Sequence, residues 1–440
     1  MLEMLRIWNF RSIEDSGPIS FSKLNILVGC NNSGKSSILA VPLLLKQTLL
    51  DKDPSTALVT SGPLVDLGSY LDIVRTEPET KPFQVEFRLT RSERFPFSEF
   101  KGKSDEKDQE VFMPDQWKLS FLFDADANEV RVKAFELTDT GSGKEIKGTQ
   151  SGKSWSLEGI PEEIRPHLIV DFMHFIPWFR PFGPKPDEKL ASKVTNFSFS
   201  LHMRTSILSW QFERLAYVGP IRERIPRYGV LGTMPYSELT PSGQNLMRVL
   251  SSSGGKGRRQ LLGKLNFWLD KKFQMLRDVR IVNLDRGGLV RTLVAKDRAG
   301  RQKINLAATG TGISQIVPVV VQTLLGPKDG CLIVEQPEIH LHPAAQTTLA
   351  DLFLDSLQDQ RQYIVETHSE HFVLRVRRRV AEGKAKPEDV RIFFVEKPGD
   401  HTTLRMLDLT PTGQFNEWPE HFFDEGYKEA LALAEAEQRR

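Results

Sequence analysis

The feature that most constrains this 440-residue chain is a glycine-rich loop set between an apolar strand and a helix. The loop reads Gly29-Cys-Asn-Asn-Ser-Gly34-Lys35-Ser36 and satisfies the pattern GxxxxGK[ST]. The residues before it, Leu24 to Val28, are rich in strand formers, and a helix is predicted from about Ser36 to Leu50. A strand, a glycine turn and a helix in this order predict a phosphate-binding loop.

Each residue type in the loop suits phosphate chemistry. Gly29 and Gly34 let backbone N–H groups turn inward around phosphate oxygens, and the helix N-terminus adds a positive dipole. Lys35 is predicted to reach the β- and γ-phosphates, and the Ser36 hydroxyl is predicted to ligate Mg²⁺. The other loop residues predicted to contact the nucleotide are Asn31, Asn32, Ser33 and Ser37.

A second signal is an apolar strand, Cys331 to Glu335, that ends in carboxylates and continues through Glu338. A strand that delivers an acid beside the phosphate loop is what Mg²⁺ coordination requires, directly or through water. The alternative is an ordinary strand-end turn with solvated acids. His340 and His342 follow, and a structural role is preferred for both because two histidines fall short of the usual metal ligand set.

Two weaker signals lie on either side of this strand. The loop Gly310-Thr-Gly312-Ile-Ser314-Gln315 opens an apolar helix and either presents N–H groups and a hydroxyl to a phosphate or only caps that helix. His368 follows a strand predicted to lie beside the acidic one. There it would hydrogen-bond the γ-phosphate or the attacking water, although a lone histidine is more often structural.

The patterns divide the chain into four predicted segments and an α/β fold with an α+β insertion. The strands are predicted at 4–10, 19–28, 80–92, 116–137, 278–283, 291–296, 331–335, 361–366 and 391–396. Helices are predicted at 258–276, from Ile313 and from Pro343, and exposed loops at 96–111 and 138–155. The segments are 1–92, an insertion at 93–205, 206–400 and a short C-terminal domain at 401–440.

Composition limits the kinds of partner that the chain is expected to bind. With 59 Lys+Arg against 57 Asp+Glu the formal charge is +2, so nucleic-acid binding would need a local basic patch. Arg375, Arg377, Arg378 and Arg379 form one candidate, with a solvated helix end as the alternative. Two cysteines, an N-terminus without a signal-peptide pattern and no membrane-length apolar run lead us to expect a cytoplasmic protein without a membrane partner.

In this order the four motifs resemble an ABC-type ATPase head of the SMC-like kind, a P-loop NTPase with a mixed sheet and flanking helices. They look closer still to bacterial AAA/ABC ATPases related to the OLD family. The segments that carry this resemblance, besides the phosphate loop, are Asn9 to Ser12, Tyr217 to Arg222, Gly310 to Gln315, Glu335 to Pro343 and Thr367 to His371. The tail from Asp408 to Asp424 resembles that group's short C-terminal domain of unknown function.

The resemblance implies that ATP and Mg²⁺ are bound in a sandwich of two heads. Ser314 of one head would face the γ-phosphate held by Lys35 of the other, with Gly312 and Gln315 beside it. Arg11 would lie near phosphate or ribose, and Glu335 would join Ser36 at the metal. Gln47 is a candidate for the glutamine of the lobe-coupling loop.

One departure from the family pattern bears on catalysis. Gln336 stands where the catalytic glutamate is expected, and glutamine cannot act as a general base. Either Glu338 substitutes, or hydrolysis is slow and ATP occupancy is the signal; slow hydrolysis with Glu338 assisting is preferred. The predicted catalytic set is therefore Glu338, Gln336 and His368.

Relatives of this kind often serve anti-phage defence or DNA maintenance, which makes a homo-oligomeric ATPase switch the first hypothesis. Its effector, for example a nuclease, would be a separate protein, with DNA or a phage-derived molecule as a candidate trigger. The second hypothesis is a scaffold that binds ATP and assembles with little turnover, which Gln336 favours. A nuclease ranks low because no metal cluster is recognisable in 93–205. A transporter subunit ranks low because the loop from Gly310 to Gln315, which we call the signature loop, departs from that family.

Overall fold

The computed structural model describes residues 1–77, 80–91, 112–183, 186–230, 238–252, 255–300, 302–418, 422–423 and 425–438. The chain forms two compact units. The first unit comprises Met1–Phe21, Ser36–Leu215 and Pro398–Thr402, and the second comprises Ser22–Lys35, Ala216–Lys397 and Thr403–Arg440. The loop predicted at 96–111 lies outside the described residues.

The strands, in chain order, are β1 (Leu2–Phe10), β2 (Ile13–Asp15), β3 (Ile19–Ser20), β4 (Leu24–Val28), β5 (Phe83–Leu89), β6 (Gln116–Asp124), β7 (Glu129–Asp139), β8 (Lys144–Ser151), β9 (Ser154–Glu158), β10 (Leu168–Met173), β11 (Ile176–Pro181), β12 (Leu215–Val218), β13 (Gly229–Val230), β14 (Arg277–Asn283), β15 (Val290–Lys296), β16 (Lys303–Asn305), β17 (Cys331–Glu335), β18 (Gln362–Glu366), β19 (Val390–Glu396) and β20 (Thr403–Leu407).

The helices are α1 (Lys35–Leu49), α2 (Tyr70–Ile73), α3 (Glu188–Thr205), α4 (Ile207–Glu213), α5 (Leu246–Ser252), α6 (Gly255–Asn266), α7 (Thr311–Leu325), α8 (Pro343–Ser356), α9 (Glu370–Ala381) and α10 (Glu425–Gln438). Short 3₁₀ turns lie at Arg165–His167, Leu306–Ala308, Leu357–Asp359 and Pro387–Asp389, and a π-helical turn lies at Phe267–Lys272. Within the described residues no helix is long and apolar enough to cross a membrane.

The first unit is built on an antiparallel sheet in the order β2-β1-β5-β6-β7-β8-β9, with β3 also paired to β1. Alternate residues of β5 are buried, from Phe83 to Leu89, which is the period of two that predicted this strand. Phe87 packs edge-on against Phe212 of α4, with 5.8 Å between ring centroids. The strands predicted at 80–92 and 116–137 are confirmed as β5, β6 and β7.

Two secondary-structure predictions that involve the first unit are wrong. Residues 138–155 were expected to form a loop, but β8 and β9 form a hairpin there because Ile146 and Leu157 reach the core between polar neighbours. The strand predicted at 19–28 is two strands in different sheets, β3 and β4. The boundary predicted at 92 falls between β5 and β6, which are hydrogen-bonded neighbours in one sheet.

The second unit is built on a mixed sheet in the order β12-β17-β18-β4-β19-β20. Its centre is parallel, and every residue of β17, β18 and β4 is buried, as expected for strands covered by helices on both faces. The predicted mixed sheet with flanking helices is confirmed. Because parallel strands end at one edge, the segments that follow β4, β17 and β18 meet there.

A smaller antiparallel sheet in the second unit runs in the order β13-β15-β14, with β16 also paired to β15. Its inner residues Val279, Leu293 and Ala295 join the unit's apolar core. The helix predicted at 258–276 is shorter than expected, because α6 ends at Asn266 and a π-helical turn follows. The boundary predicted at 400 lies between β19 and β20, which pair with each other.

Candidate functional site

The phosphate loop joins β4 to α1, as its sequence predicts. Gly29 and Gly34 adopt φ values of +149° and +106°, which L side chains rarely adopt. A Cβ on Gly29 would lie 2.1 Å from the carbonyl oxygen of Val395, so this glycine also lets the loop pass close to β19. Both glycines are therefore required by the path of the backbone.

Lys35 is buried at the head of α1, with 3% of its surface exposed. Its Nζ donates hydrogen bonds to the carbonyl oxygens of Gly29 (3.0 Å) and Cys30 (2.8 Å). Burial lowers the pKa of Lys35, and the carboxylates of Glu366 and Glu338 oppose that shift. The ammonium group thus sits inside the loop, close enough to both acids to be stabilised by them.

The remaining loop residues differ in their access to solvent. Asn31, Asn32 and Ser36 are exposed, Ser37 is half-buried and Ser33 is buried. Ser36 directly follows Lys35 in α1. A hydroxyl on this exposed residue fits the metal-ligand role predicted for Ser36, because hard oxygen donors are the ligands that Mg²⁺ prefers.

Two carboxylates end adjacent parallel strands. Glu335 of β17 is in register with Glu366 of β18, which is in turn in register with Leu27 of β4. The Tyr217 hydroxyl donates to Glu335 Oε1 at 2.7 Å. Burial and the nearby charge of Glu366 raise the pKa of Glu335 to about 7, against the opposing effects of Tyr217 and Arg222. A bound cation would offset this repulsion, so the donor set fits Mg²⁺.

Arg222 links the end of β17 to α7. The guanidinium is 4% exposed and donates to Gln315 Oε1 (3.2 Å) and to the carbonyl oxygens of Glu335 (3.3 Å) and Gln336 (2.7 Å). Gln315 Nε2 donates back to the carbonyl oxygen of Arg222 at 2.9 Å. Burial lowers the pKa of Arg222 to about 10, so it remains a cation at neutral pH.

Gln336 and Glu338 follow β17 in a tight turn. Gln336 has φ +44°, and its N–H donates to the carbonyl oxygen of Glu366 at 2.8 Å. Glu338 is 8% exposed, and its Oε1 accepts a hydrogen bond from the His368 N–H at 2.7 Å. Glu338 Oε2 is buried and accepts no hydrogen bond from the described residues. Burial raises the pKa of Glu338, which suits a proton acceptor.

His368 follows β18, and β18 lies beside the acidic strand as predicted. Its ring is exposed, while its backbone N–H holds Glu338. Partial burial and the positive charge of Lys35 lower the pKa of His368, so the imidazole is neutral at pH 7. A neutral ring near Lys35 can donate or accept a hydrogen bond at a phosphate oxygen.

The signature loop is more buried than expected for a surface that faces a second copy. Ser314 is 4% exposed, and its Oγ accepts a hydrogen bond from the Ile225 N–H at 3.3 Å. Gln315 is held by Arg222, and a Cβ on Gly312 would lie 2.8 Å from the carbonyl oxygen of His340. The exposed residues of this loop are Gly310 and Thr311, which begin α7. In this structure Gly312, Ser314 and Gln315 fasten the loop to their own unit.

The two histidines after the acidic strand are turn residues. His340 is exposed with φ +61°, and His342 Nδ1 accepts the Ala344 N–H at 3.3 Å as the N-cap of α8. Among the described residues no group of three or more His, Cys, Asp or Glu side chains is arranged to hold a metal ion. The structural role preferred for both residues agrees with these contacts.

Two other candidates lie in the first unit. Arg11 occupies the turn between β1 and β2, where its N–H donates to the carbonyl oxygen of Ile73 at 2.7 Å. Gln47 is 3% exposed, and its amide bonds the backbone of Val59, Leu64 and Val65. With these bonds Gln47 holds the 59–65 segment against α1 and has no free donor for a nucleotide.

The basic run after His368 is used inside the chain. Arg375 and Arg379 pair with Asp351, at 3.2 Å and 2.6 Å, and Arg378 pairs with Glu382 at 2.7 Å. Arg377 stacks over Phe415 at 4.8 Å from the ring centroid. These contacts engage the run within the chain, and its contact with DNA stays a hypothesis.

Sequence reasoning assigned no role to Glu366, Tyr217 or Arg222. Glu366 had a detectable signal, since it is an acid at the end of a strand already predicted to lie beside the acidic one. Tyr217 and Arg222 lie in a segment that carries the family resemblance, but their contacts with the acidic strand were not predictable, because only the sheet order brings β12 beside β17.

Two family patterns match the chain. A family described as "AAA ATPase domain" matches residues 1–129 and 255–373, which together are more than half of the chain. A family described as "Protein of unknown function (DUF3696)" matches residues 386–433. This range includes Asp408 to Asp424, the segment that resembles a short C-terminal domain of unknown function. No curated protein matches the chain.

Similar solved structures include three heads of SMC proteins. An SMC head bound to the C-terminal winged-helix domain of ScpA is 16% identical, with 93% of this chain and 98% of that chain covered and a TM-score of 0.44. The SMC head domain from Thermotoga maritima is 12% identical, with 93% and 99% covered and a TM-score of 0.40. An SMC head with an extended coiled coil, bound to the C-terminal domain of ScpA and derived from Pyrococcus furiosus, is 13% identical, with 100% and 99% covered and a TM-score of 0.39. At these TM-scores the likeness supports no conclusion about this chain.

Proposed function

This chain belongs to the AAA ATPase domain family, and from that premise we propose that it binds ATP and Mg²⁺ at the phosphate loop and hydrolyses ATP slowly. Lys35 and the N–H groups of the loop would hold the β- and γ-phosphates. Ser36 and Glu335 would hold Mg²⁺, which when bound neutralises charge on the phosphate oxygens. Arg11 and the loop residues Asn31, Asn32, Ser33 and Ser37 complete the proposed nucleotide contacts.

The proposed general base is Glu338. Water would attack the γ-phosphorus, its proton would pass to Glu338 Oε2, and the bond from the γ-phosphorus to the β,γ-bridging oxygen would break to release ADP. The observation that carries this proposal is the buried Oε2 of Glu338, which has no hydrogen-bond partner among the described residues while Oε1 is held by the His368 N–H. His368 would orient the γ-phosphate. Gln336 would contribute through its backbone, because its amide cannot accept the proton.

Nucleotide occupancy would act as a switch through assembly of two copies around ATP. In the proposed sandwich the exposed start of α7, Gly310 and Thr311, would meet the γ-phosphate held by the second copy. Gly312, Ser314 and Gln315 would support that surface from below. Because Arg222 bonds both Gln315 and the end of β17, a change at the nucleotide would reach α7 through one side chain.

The proposed setting is a bacterial anti-phage or DNA-maintenance system with a separate effector such as a nuclease. This part rests on the family resemblance. It predicts that turnover or assembly changes when the effector or the trigger is added to the purified chain.

The test of the enzyme is steady-state release of phosphate from ATP, with the mass of the protein in solution measured with and without ATP and Mg²⁺. Lys35→Ala should lose nucleotide binding, turnover and assembly. Glu338→Gln, which keeps size and removes the proton acceptor, should bind ATP normally and lower turnover at least tenfold. Normal turnover in Glu338→Gln would sink the assignment of the base.

The second candidate function is an ATP-dependent scaffold, which Gln336 favours because it stands where a base is expected. A scaffold would bind ATP and assemble, yet release no phosphate above a Lys35→Ala background. In that case Gln336→Glu is the informative variant. If it creates turnover, the site is an ATPase site that lacks only its general base.

A further inference from the structure

The chain's positive charge is concentrated in one stretch of the second unit. Residues 255–305 contain fourteen Lys and Arg, four Asp and no Glu, a net charge of +10. The whole chain carries +2, from 59 against 57, so the rest of the chain carries 45 against 53, or −8. This stretch comprises α6 and strands β14 to β16.

Like charges face one another across the small sheet. Lys296 of β15 is directly opposite Arg277 of β14 on one side and Lys303 of β16 on the other. Directly opposite residues project from the same face of an antiparallel sheet, so three cations form a row across three strands. Like charges directly opposite each other destabilise a sheet, so the row is unfavourable for folding except where nearby acids offset it.

The acids of the stretch neutralise only part of this charge. Asp270 pairs with Arg277 at 3.1 Å, and Asp278 pairs with Lys296 at 3.4 Å and also with Arg280. The other two acids serve turns: Asp285 accepts the Val290 N–H at 2.8 Å, and Asp297 accepts the Gln302 N–H at 3.4 Å. With four acids against fourteen Lys and Arg, the stretch keeps an excess of positive charge.

Helix α6 adds cations beside the sheet. Lys256, Arg259 and Lys264 are exposed, while Leu261 and Leu265 are buried in the core. No ion pair is recorded for these three cations or for Lys303 among the residues that the structure describes. The helix contains no acid.

Asn266 fixes α6 to the sheet. Its Nδ2 donates to the Val279 carbonyl oxygen at 2.9 Å, and its Oδ1 accepts the Val279 N–H at 2.6 Å. The last turn of α6 therefore lies beside β14, the strand that carries Arg277 and Arg280. We call Lys256, Arg259, Lys264, Arg277, Arg280, Lys296 and Lys303 the basic face.

We propose that the basic face binds the phosphate backbone of a nucleic acid without reading its sequence. Duplex DNA carries one charge per about 1.7 Å of its axis, a density that suits a row of cations on strands about 4.8 Å apart. Lys and Arg contact phosphate oxygens in such complexes, and phosphate contacts carry no sequence information directly. The proposal extends the nucleotide switch by naming the partner on which the switch would act.

The test measures binding of a fluorescent 30-base-pair DNA duplex to the full chain by anisotropy, over a series of salt concentrations and without nucleotide. The test variant is Lys256→Gln with Lys264→Gln and Lys303→Gln, whose cations take part in no recorded ion pair. The control variant removes the same charge elsewhere, through Lys52→Gln with Lys153→Gln and Lys189→Gln, all exposed lysines of the first unit.

We expect the test variant to bind at least tenfold more weakly at about 100 mM salt, with a salt slope smaller by about 3 because three phosphate contacts are lost. The control should bind within twofold of the unaltered chain. The thermal midpoint of the Lys303→Gln variant should not fall below that of the unaltered chain, because the substitution relieves repulsion from Lys296. Equal losses in test and control, or no duplex binding at all, would overturn the proposal.

Two further arms separate this proposal from its rivals. Poly-glutamate is the probe for an acidic protein partner; binding tighter than that of the duplex, with the same dependence on the basic face, would overturn the nucleic-acid assignment. Lys35→Ala should still bind the duplex in the absence of nucleotide. A failure of ATP hydrolysis would therefore leave this proposal standing, and a failure of DNA binding would leave the ATPase proposal standing.

Discussion

At the scale of single side chains, Arg222 holds three acceptors with one planar group. Two acceptors are backbone carbonyls at the end of β17 and the third is the side chain of Gln315 in α7. The guanidinium offers five donors in a fixed fork, whereas an ammonium offers three around one atom. Lysine at this position would leave buried acceptors without partners.

Arg222→Lys is therefore expected to lower turnover about tenfold while ATP binding changes less than twofold, because Arg222 holds the backbone at Glu335 and Gln336 and its three acceptors all belong to the protein. Leaving a buried acceptor unpaired should also cost about 1–3 kcal/mol of unfolding free energy. The measurements are kcat and KM for ATP and urea unfolding. Arg224→Lys is the matched control, since Arg224 is exposed two residues away. Unchanged kcat and unchanged stability in Arg222→Lys would contradict the positioning role.

Residue roles were predictable where chemistry is local to a motif. Lys35 lies in a loop whose pattern already fixes its surroundings. Ser314 is different, because its environment comes from Ile225, a residue distant in the chain. The motif identified the loop, but the motif could not tell which of its residues would be buried.

At the scale of secondary structure, an ionic cluster joins the ends of three strands in the first unit. Arg91, after β5, pairs with Asp115 at 2.9 Å and also with Asp139, the last residue of β7. Asp115 accepts the Thr140 N–H at 2.9 Å. Burial acts to raise the pKa of Asp139. Hydrogen bonds from the Met113 N–H, from Ser142 and from Arg91 outweigh burial and lower the pKa to about 2.

The sign of the resulting pH dependence follows from that shift. A folded pKa of about 2, below the ordinary 3.8, means that Asp139 stabilises the fold above about pH 4 and loses this effect as the pH falls toward 2. Asp139→Asn should thus destabilise the first unit by at most about 2 kcal/mol near neutral pH, since solvent around half-exposed Arg91 screens the pair. The difference from the unaltered chain should shrink between pH 4 and pH 2 in urea unfolding. Asp126→Asn, at an exposed position, is the control, and a difference that stays constant with pH would refute the account.

Secondary structure was predictable where burial is continuous or alternates cleanly. The strand predicted at 331–335 matches β17, because five buried apolar and acidic residues stand between turn signals. The hairpin of β8 and β9 was missed, since Gly148 and several charged residues break its alternation. Gly148 lies under the ring of Phe135, a contact that only sheet pairing creates.

At the scale of the whole molecule, ligand binding should be visible as stability. A ligand that binds only the folded chain stabilises it by RT ln(1 + [L]/Kd), about 2.7 kcal/mol at a hundredfold excess over Kd. ATP with Mg²⁺ should therefore raise the thermal midpoint of the unaltered chain by several degrees. The same addition should leave Lys35→Ala unmoved, while Lys52→Ala, an exposed lysine, should respond normally. A shift of equal size in Lys35→Ala would mean that the nucleotide binds elsewhere.

The sequence by itself determined the phosphate loop, the acidic strand, the strand that carries His368 and the mixed α/β fold of the second unit. Each of these is coded by neighbouring residues, because strand formers, glycine turns and helix starts act over a few positions. The tertiary structure decided which distant side chains complete the site, since Tyr217, Arg222 and Glu366 meet Glu335 only through the order of strands. It also decided how the cations are arranged: Arg375, Arg378 and Arg379 pair with Asp351 and Glu382, whereas strand register aligns Arg277, Lys296 and Lys303 in one row. Register and burial depend on contacts between segments far apart in the chain, and no local pattern encodes them.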